Sequence, residues 1–327
     1  MQTLLSDYEL ISLLSTKTDV SALEDTNLET LIRYMQNVYE YFAKNNITEP
    51  DKTISNNYVK LSQYTAKKLK EKNKGFVLFS KPLMPLITEE SGDYGIVVTT
   101  TEETAKILIE KQKKLGKNCF YEEMDDLNPF FEISFLVQGY KHILLWNSDF
   151  KGAFIEAELL VDESRNEYYQ KYTPNEGLSS KLAAFSQFIV GNSKKETIDE
   201  IELFQREILT FSSLMDAELL VPIKKMHEPN RGISADEFEN NVPQIKMVMP
   251  NKTFHAIPVF TDGASLMSSP FKSDKYDCVY VDIETLIDIV PCEYLDFNPR
   301  EIDLILNKQI IADKIDQVKK FCERIRA

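Results

Sequence analysis

Catalytic machinery is scarce in this chain: its 327 residues contain only 10 glycines, 4 cysteines, 3 histidines and one tryptophan. Neither GxxxxGK[ST] nor GxGxxG occurs, which argues against nucleotide hydrolysis and dinucleotide redox chemistry, because both bring backbone amides close around phosphates. Cys119, Cys278, Cys292 and Cys322 lack CxxC spacing, and no HExxH or HxH is present, so neither a metal nor another cofactor is expected. A GxSxG nucleophile turn is missing too. Positive charge is also short, with 38 Lys and Arg against 52 Asp and Glu and a formal net charge of −14. The densest basic run, residues 67–74, reads as the solvated end of a helix, so nucleic acid is not an expected partner. No run approaches 18 apolar residues, and residues 1–7 show no basic-then-apolar leader. These absences, with thiols that form no disulfide framework, predict a cytoplasmic protein that neither crosses a membrane nor is exported.

What is present reads as a well-folded globular chain. Hydrophobic residues make up 43% and aromatics 11%, enough apolar surface to offset chain entropy throughout. The length exceeds the ~250 residues at which single cores stop growing, so two modules are expected. Apolar residues at three- and four-residue intervals predict helices over 27–42 and 58–72. Short β-rich runs follow at 76–79, 83–87 and 94–98, then a threonine-capped helix to about 115 with Gly116 at its C-cap. Residues 119–121, a short helix over 128–135, and a strand 142–146 ending at Asn147 complete this part. One further strand at 152–161 and a helix at 179–190 lie before a boundary placed near residue 192.

The second module opens with a capping box at Ser193 and Glu196, and its helix is expected to bury Ile201, Phe204, Ile208, Leu209 and Met215. Strands at 217–224, 255–262, 277–282 and 294–298 follow, with an irregular insertion over 226–243. Pro299 is read as the first residue of a helix to 307, and a last amphipathic helix spans 312–326 with Ile315, Val318, Phe321, Cys322 and Ile325 inward. This order repeats that of the first module, with Asn147 matching Asn298, and suggests a degenerate tandem repeat. The expected fold class is α+β, two small mixed sheets covered by helices, with domains at 1–192 and 193–327.

The strand 217–222, the Pro258-Val-Phe-Thr-Asp262 turn into a helix, and Asn298-Pro299 after a strand resemble the SseB family, named for enhanced serine sensitivity, in its N-terminal domain. The resemblance covers roughly the last third of the chain, clearest over 217–310. It implies an architecture and a binding behaviour more than a reaction. The expected function is thus a non-enzymatic binding or adaptor protein with a protein or polar-peptide partner. Two alternatives are an enzyme or regulator of small-molecule, for example amino-acid, metabolism, suggested by the family's name, and an acidic inhibitor of a basic partner, suggested by the charge. If the module has a site, Thr261, Asp262 and Asn298 at two strand exits should meet a small anion, carboxylate or polar peptide, flanked by Phe260 and Phe297. The plainer reading is that their oxygens cap local structure. His142 and His255 read as structural imidazoles at strand starts, His227 as a surface residue. Trp146 reads as core or interface, and the acids 122–126 as a solvated loop.

Overall fold

The computed structural model describes residues 5–16, 19–47, 51–81, 84–90, 93–115, 117–161, 175, 177–193, 198–225, 235–249, 252–271 and 275–326. Gly116, Glu196, His227 and residues 226–234 of the 226–243 insertion lie outside these. The fold is α+β, with mixed open sheets covered by helices. Its contacts divide into two units, one of 1–81, 85–132 and 141–165, the other of 82–84, 133–140 and 166–327. Helix 178–192 therefore belongs with the second unit and not the first, and so does the segment Ile133–Tyr140. The division does not follow the boundary read near residue 192, because the apolar face of that helix is buried within the second unit.

In the first unit, α1 (Asp7–Thr16), α2 (Leu28–Lys44) and α3 (Lys52–Lys72) precede the sheet. Asn27 starts α2 by accepting from the Thr30 amide, and its stripe buries Leu28, Leu31, Ile32, Met35 and Val38. Asp51 starts α3 six residues before the expected onset, and Asn73, at φ 48°, ends it by returning its amide to Leu69. The strands are β1 (Gly75–Lys81), β2 (Met84–Pro85), β3 (Ile87–Glu90), β4 (Asp93–Thr99), β5 (Phe120–Met124), β6 (His142–Trp146) and β7 (Gly152–Glu156). β1 runs antiparallel to β4 and β5, β3 folds back on β4, β4 is parallel to β6, and β6 is antiparallel to β7. The parallel step is made through α4 (Glu102–Lys114), capped by Thr101, with acids in its first turn and lysines in its last. Short α5 (Asn128–Phe131) follows β5. Trp146 is half-buried against Leu78, Val97, Leu108 and Cys119.

In the second unit, α6 (Leu178–Asn192) and α7 (Glu200–Met215) lead into β8 (Glu218–Lys224), α8 (Ala235–Asn241), β9 (Ile245–Met249), β10 (Lys252–Val259), α9 (Gly263–Ser268), β11 (Tyr276–Asp282), α10 (Ile283–Ile289), β12 (Tyr294–Phe297), β13 (Leu304–Asn307) and α11 (Lys308–Arg326). β8 is antiparallel to β11 and bridges β10 in the same sense at Leu220 and Phe260. β9 folds back on β10, β10 is parallel to β12, and β12 is antiparallel to β13. Strand for strand, chain order and pairing sense repeat those of β1 and β3–β7.

Three expectations fail locally. Asp199, not Ser193, caps α7, accepting the amides of Ile201 and Glu202, while Ser193 closes α6. The buried face of α7 is Thr210, Phe211 and Leu214, and Ile201 and Phe204 stand in solvent. Pro299 leads a turn and then β13 in place of a helix: Asn298, Arg300 and Asp303 all have positive φ, which α-helical residues cannot adopt. Cys278 is exposed on β11, an edge strand. His255 is exposed on β10, and His142 meets the Phe154 ring edge-on at 5.9 Å.

Candidate functional site: a closed polar cluster

The two strand exits singled out in the sequence adjoin. Val259 and Phe297 are register partners in the parallel β10–β12 pair, so the residues after them emerge side by side. Asn298, at φ 47°, donates its backbone amide to the Val259 carbonyl at 2.8 Å. Its side chain then clamps the other exit: Oδ1 accepts the Thr261 amide at 2.9 Å and Nδ2 donates to Thr261 Oγ1 at 2.8 Å. Asn tolerates this left-handed backbone better than most residues and supplies both a donor and an acceptor.

Asp262 caps α9, with Oδ1 accepting the Ser265 amide at 2.8 Å. Its Oδ2 lies 2.8 Å from both Thr261 Oγ1 and Ser265 Oγ. Ser265 Oγ is also 2.7 Å from Glu301 Oε2, and Gln138 Nε2 donates to Glu301 Oε1 at 2.6 Å. Ser179 Oγ meets Thr261 Oγ1 at 2.9 Å, and Asn175 Nδ2 donates to the Thr261 carbonyl at 2.9 Å. None of Phe260, Thr261, Asp262, Ser265, Phe297, Asn298 and Glu301 is more than 3% exposed.

Proton counting fixes the charge of this cluster. The Ser265 hydroxyl has one proton and touches two carboxyl groups, so it donates to one and must accept from the other. Glu301 is the group that keeps a proton: burial first, and then the negative charge of Asp262, push its pKa up to about 8. The chain then reads Glu301 O–H to Ser265, and Ser265 O–H to Asp262, one anion in place of two. The Tyr140 phenol is 2% exposed and has no hydrogen-bond partner among the described residues. It is held protonated first by burial and then by the negative charge that the Asp262–Glu301 pair carries.

All five residues expected to form a docking site are thus brought together, and all five are inside. Sequence reading missed Gln138, Tyr140, Asn175, Ser179, Ser265 and Glu301. Only Ser265, three residues after Asp262, carried a local signal, that of a cap partner; Gln138 lies 163 residues from Glu301. Asn147, the counterpart after β6, is equally buried but does a different job. It accepts the Asp149 and Lys151 amides and donates to the Glu29 carbonyl at 2.9 Å, fastening α2 to its sheet. Among the described residues no group of three or more His, Cys, Asp or Glu side chains converges to hold a metal, and no helix is long and apolar enough to cross a membrane.

These features define a two-unit α+β protein with a shared connectivity and a proton-retaining polar core in its second unit. No family model, curated protein or solved structure matches the chain.

Proposed function

We propose that this chain is a non-enzymatic binding or adaptor protein, built from two copies of one SseB-like α+β unit, that engages a protein partner through the helical layer of its second unit. One observation carries this reading: an apolar patch left in solvent where α6, α7 and α11 end together. The helices α6 and α7 are antiparallel, since Phe185 packs on Phe211 and Arg206 lies over the Phe188 ring. The last turn of α6, with Val190 61% exposed, therefore meets the first turns of α7, with Ile201 72% and Phe204 44% exposed. Phe204 is edge-on to Phe321 of α11 at 5.9 Å. Clustered exposed aliphatic and aromatic side chains are characteristic of interaction sites.

The repeated connectivity supports the duplication, and Asn147 and Asn298, both buried after the central parallel strand, support common descent of the units. The closure of the Asp262–Glu301 cluster favours a structural role for it, with partner binding elsewhere. A second reading, inhibition of a basic partner, draws on the exposed acids Asp199 and Glu200 at the rim of the patch and on the net charge of −14.

The test is a paired Ile201→Glu and Phe204→Glu variant, used beside the unsubstituted chain for affinity capture from the native host and for sedimentation. A stoichiometric protein partner should be lost with the substitutions while the melting temperature is held. A partner retained at full yield by the variant rejects the patch. Catalytic turnover of a metabolite by the purified chain rejects the non-enzymatic reading.

A further inference from the structure

The first unit has an open groove of its own, independent of the patch just described. It measures 260 Å3 and runs between α2, α3 and the sheet at β6 and β7. Its walls include Tyr39, Tyr58, Val59, His142, Phe154 and Glu156, and among the described residues no lysine or arginine lines it. The Phe154 wall is set by the fold: His142 meets its ring edge-on, and Gly95 sits beneath it, where a Cβ would come within 2.8 Å of Phe154 Cε1. His142 and Glu156 are register partners across β6 and β7, so the carboxylate stands at one end of the aromatic floor. Among the described residues Glu156 has no ion-pair partner, whereas Glu40 of α2 is paired with Lys151 at 2.8 Å.

We propose that this groove binds an alkyl cation, a guanidinium or ammonium on an aliphatic stem, as presented by an arginine or lysine side chain of a partner segment. Three considerations converge on that chemistry. Aromatic faces attract cations through their quadrupoles, and attract guanidinium most readily because it stacks and is weakly hydrated. An apolar floor accommodates the methylene stem while the head reaches a carboxylate at the rim. The volume is below the ~300–1,000 Å3 of pockets that enclose drug-sized ligands, and suits one side chain. The negative charge of the whole chain adds a long-range attraction for the same ligand.

Calorimetric or ligand-observed NMR titration of the full chain at low salt tests this, with N-acetyl-arginine methylamide, its neutral near-isostere N-acetyl-citrulline methylamide, and butylguanidine. The arginine compound should bind and the citrulline compound should not. Glu156→Gln should weaken binding about threefold. Glu158→Gln, an exposed neighbour outside the groove, should leave it unchanged. Tighter binding of the arginine compound than of butylguanidine identifies a protein segment as the source, and equal binding identifies a free small cation; either upholds the cation site. Equal binding of citrulline and arginine, no binding of either cation, or an unaffected Glu156→Gln variant with an unchanged melting curve overturns it.

Discussion

At the scale of single residues, Glu301 has the largest consequence. The folded chain holds its proton up to about pH 8, whereas an unfolded glutamate releases it near its ordinary value of 4.5. Below about pH 4.5 both states carry the proton and the contribution to stability is full. As pH rises the unfolded state ionises first, so stability falls by roughly 1 kcal/mol per pH unit until the folded pKa is passed. Hydrogen exchange of the β10 and β12 amides between pH 5 and 8, corrected for intrinsic rates, should show this decline, and Glu301→Gln should flatten it. An equal slope in wild type and variant would assign the pH dependence elsewhere.

Asn298 offers a separate test, because two properties coincide in it. Asn298→Ala should cost about 2–3 kcal/mol, losing the clamp on Thr261 and placing alanine at a left-handed φ. Asn298→Gly relieves the backbone and should recover only part of that loss, as read by urea unfolding followed by circular dichroism.

Among the elements, those with strong local signals were legible. The stripe of α2, the threonine cap of α4 and the apolar runs of β6 and β8 form where the sequence places them, because pattern and cap agree, whereas β10 begins and ends three residues before the expected 255–262. The failures share a cause: a residue type favourable for one element is used by another. Pro299 followed by acids suits a helix start, but three positive-φ residues within six positions turn the chain into β13. Ile201 and Phe204 continue the apolar spacing of α7, yet its buried face is centred on Phe211 and Leu214, a rotation that tertiary packing decides. For the same reason the five site residues could be named, while their burial and the six partners that complete the cluster could not.

Gly95 shows how closely a strand can depend on one position. In Gly95→Ala the new Cβ would meet the Leu144 amide nitrogen at 2.9 Å as well as the Phe154 ring. Backbone cannot yield as a side-chain end can, so a loss of about 1–3 kcal/mol is expected. Trp146, on β6 in the same sheet, is a natural fluorescence reporter of that unfolding.

For the whole molecule, the assignment of Ile133–Tyr140 to the second unit makes that unit discontinuous in sequence. A chain cut to 166–327 keeps every strand from β8 to β13 but lacks Gln138, the donor to Glu301 Oε1, and Tyr140. Such a fragment should be less stable than the same unit within the full chain, by about 1–3 kcal/mol for an orphaned buried acceptor and the lost packing. Comparing exchange protection of β12 in fragment and full chain measures it; equal protection would show that the segment contributes nothing.

That discontinuity also bears on the order in which the protein can be made. A ribosome releases Gln138 long before Glu301, 163 residues later, which at bacterial or eukaryotic elongation rates is a delay on the order of ten seconds or more. The sheet of the first unit can close within that interval, whereas Ile133–Tyr140 must wait with the Tyr140 ring and its polar neighbours uncovered until nearly the last strand has been synthesised. The nascent chain therefore passes through a period in which one finished unit carries an unsatisfied piece of the next, and that period is when a chaperone has something to hold.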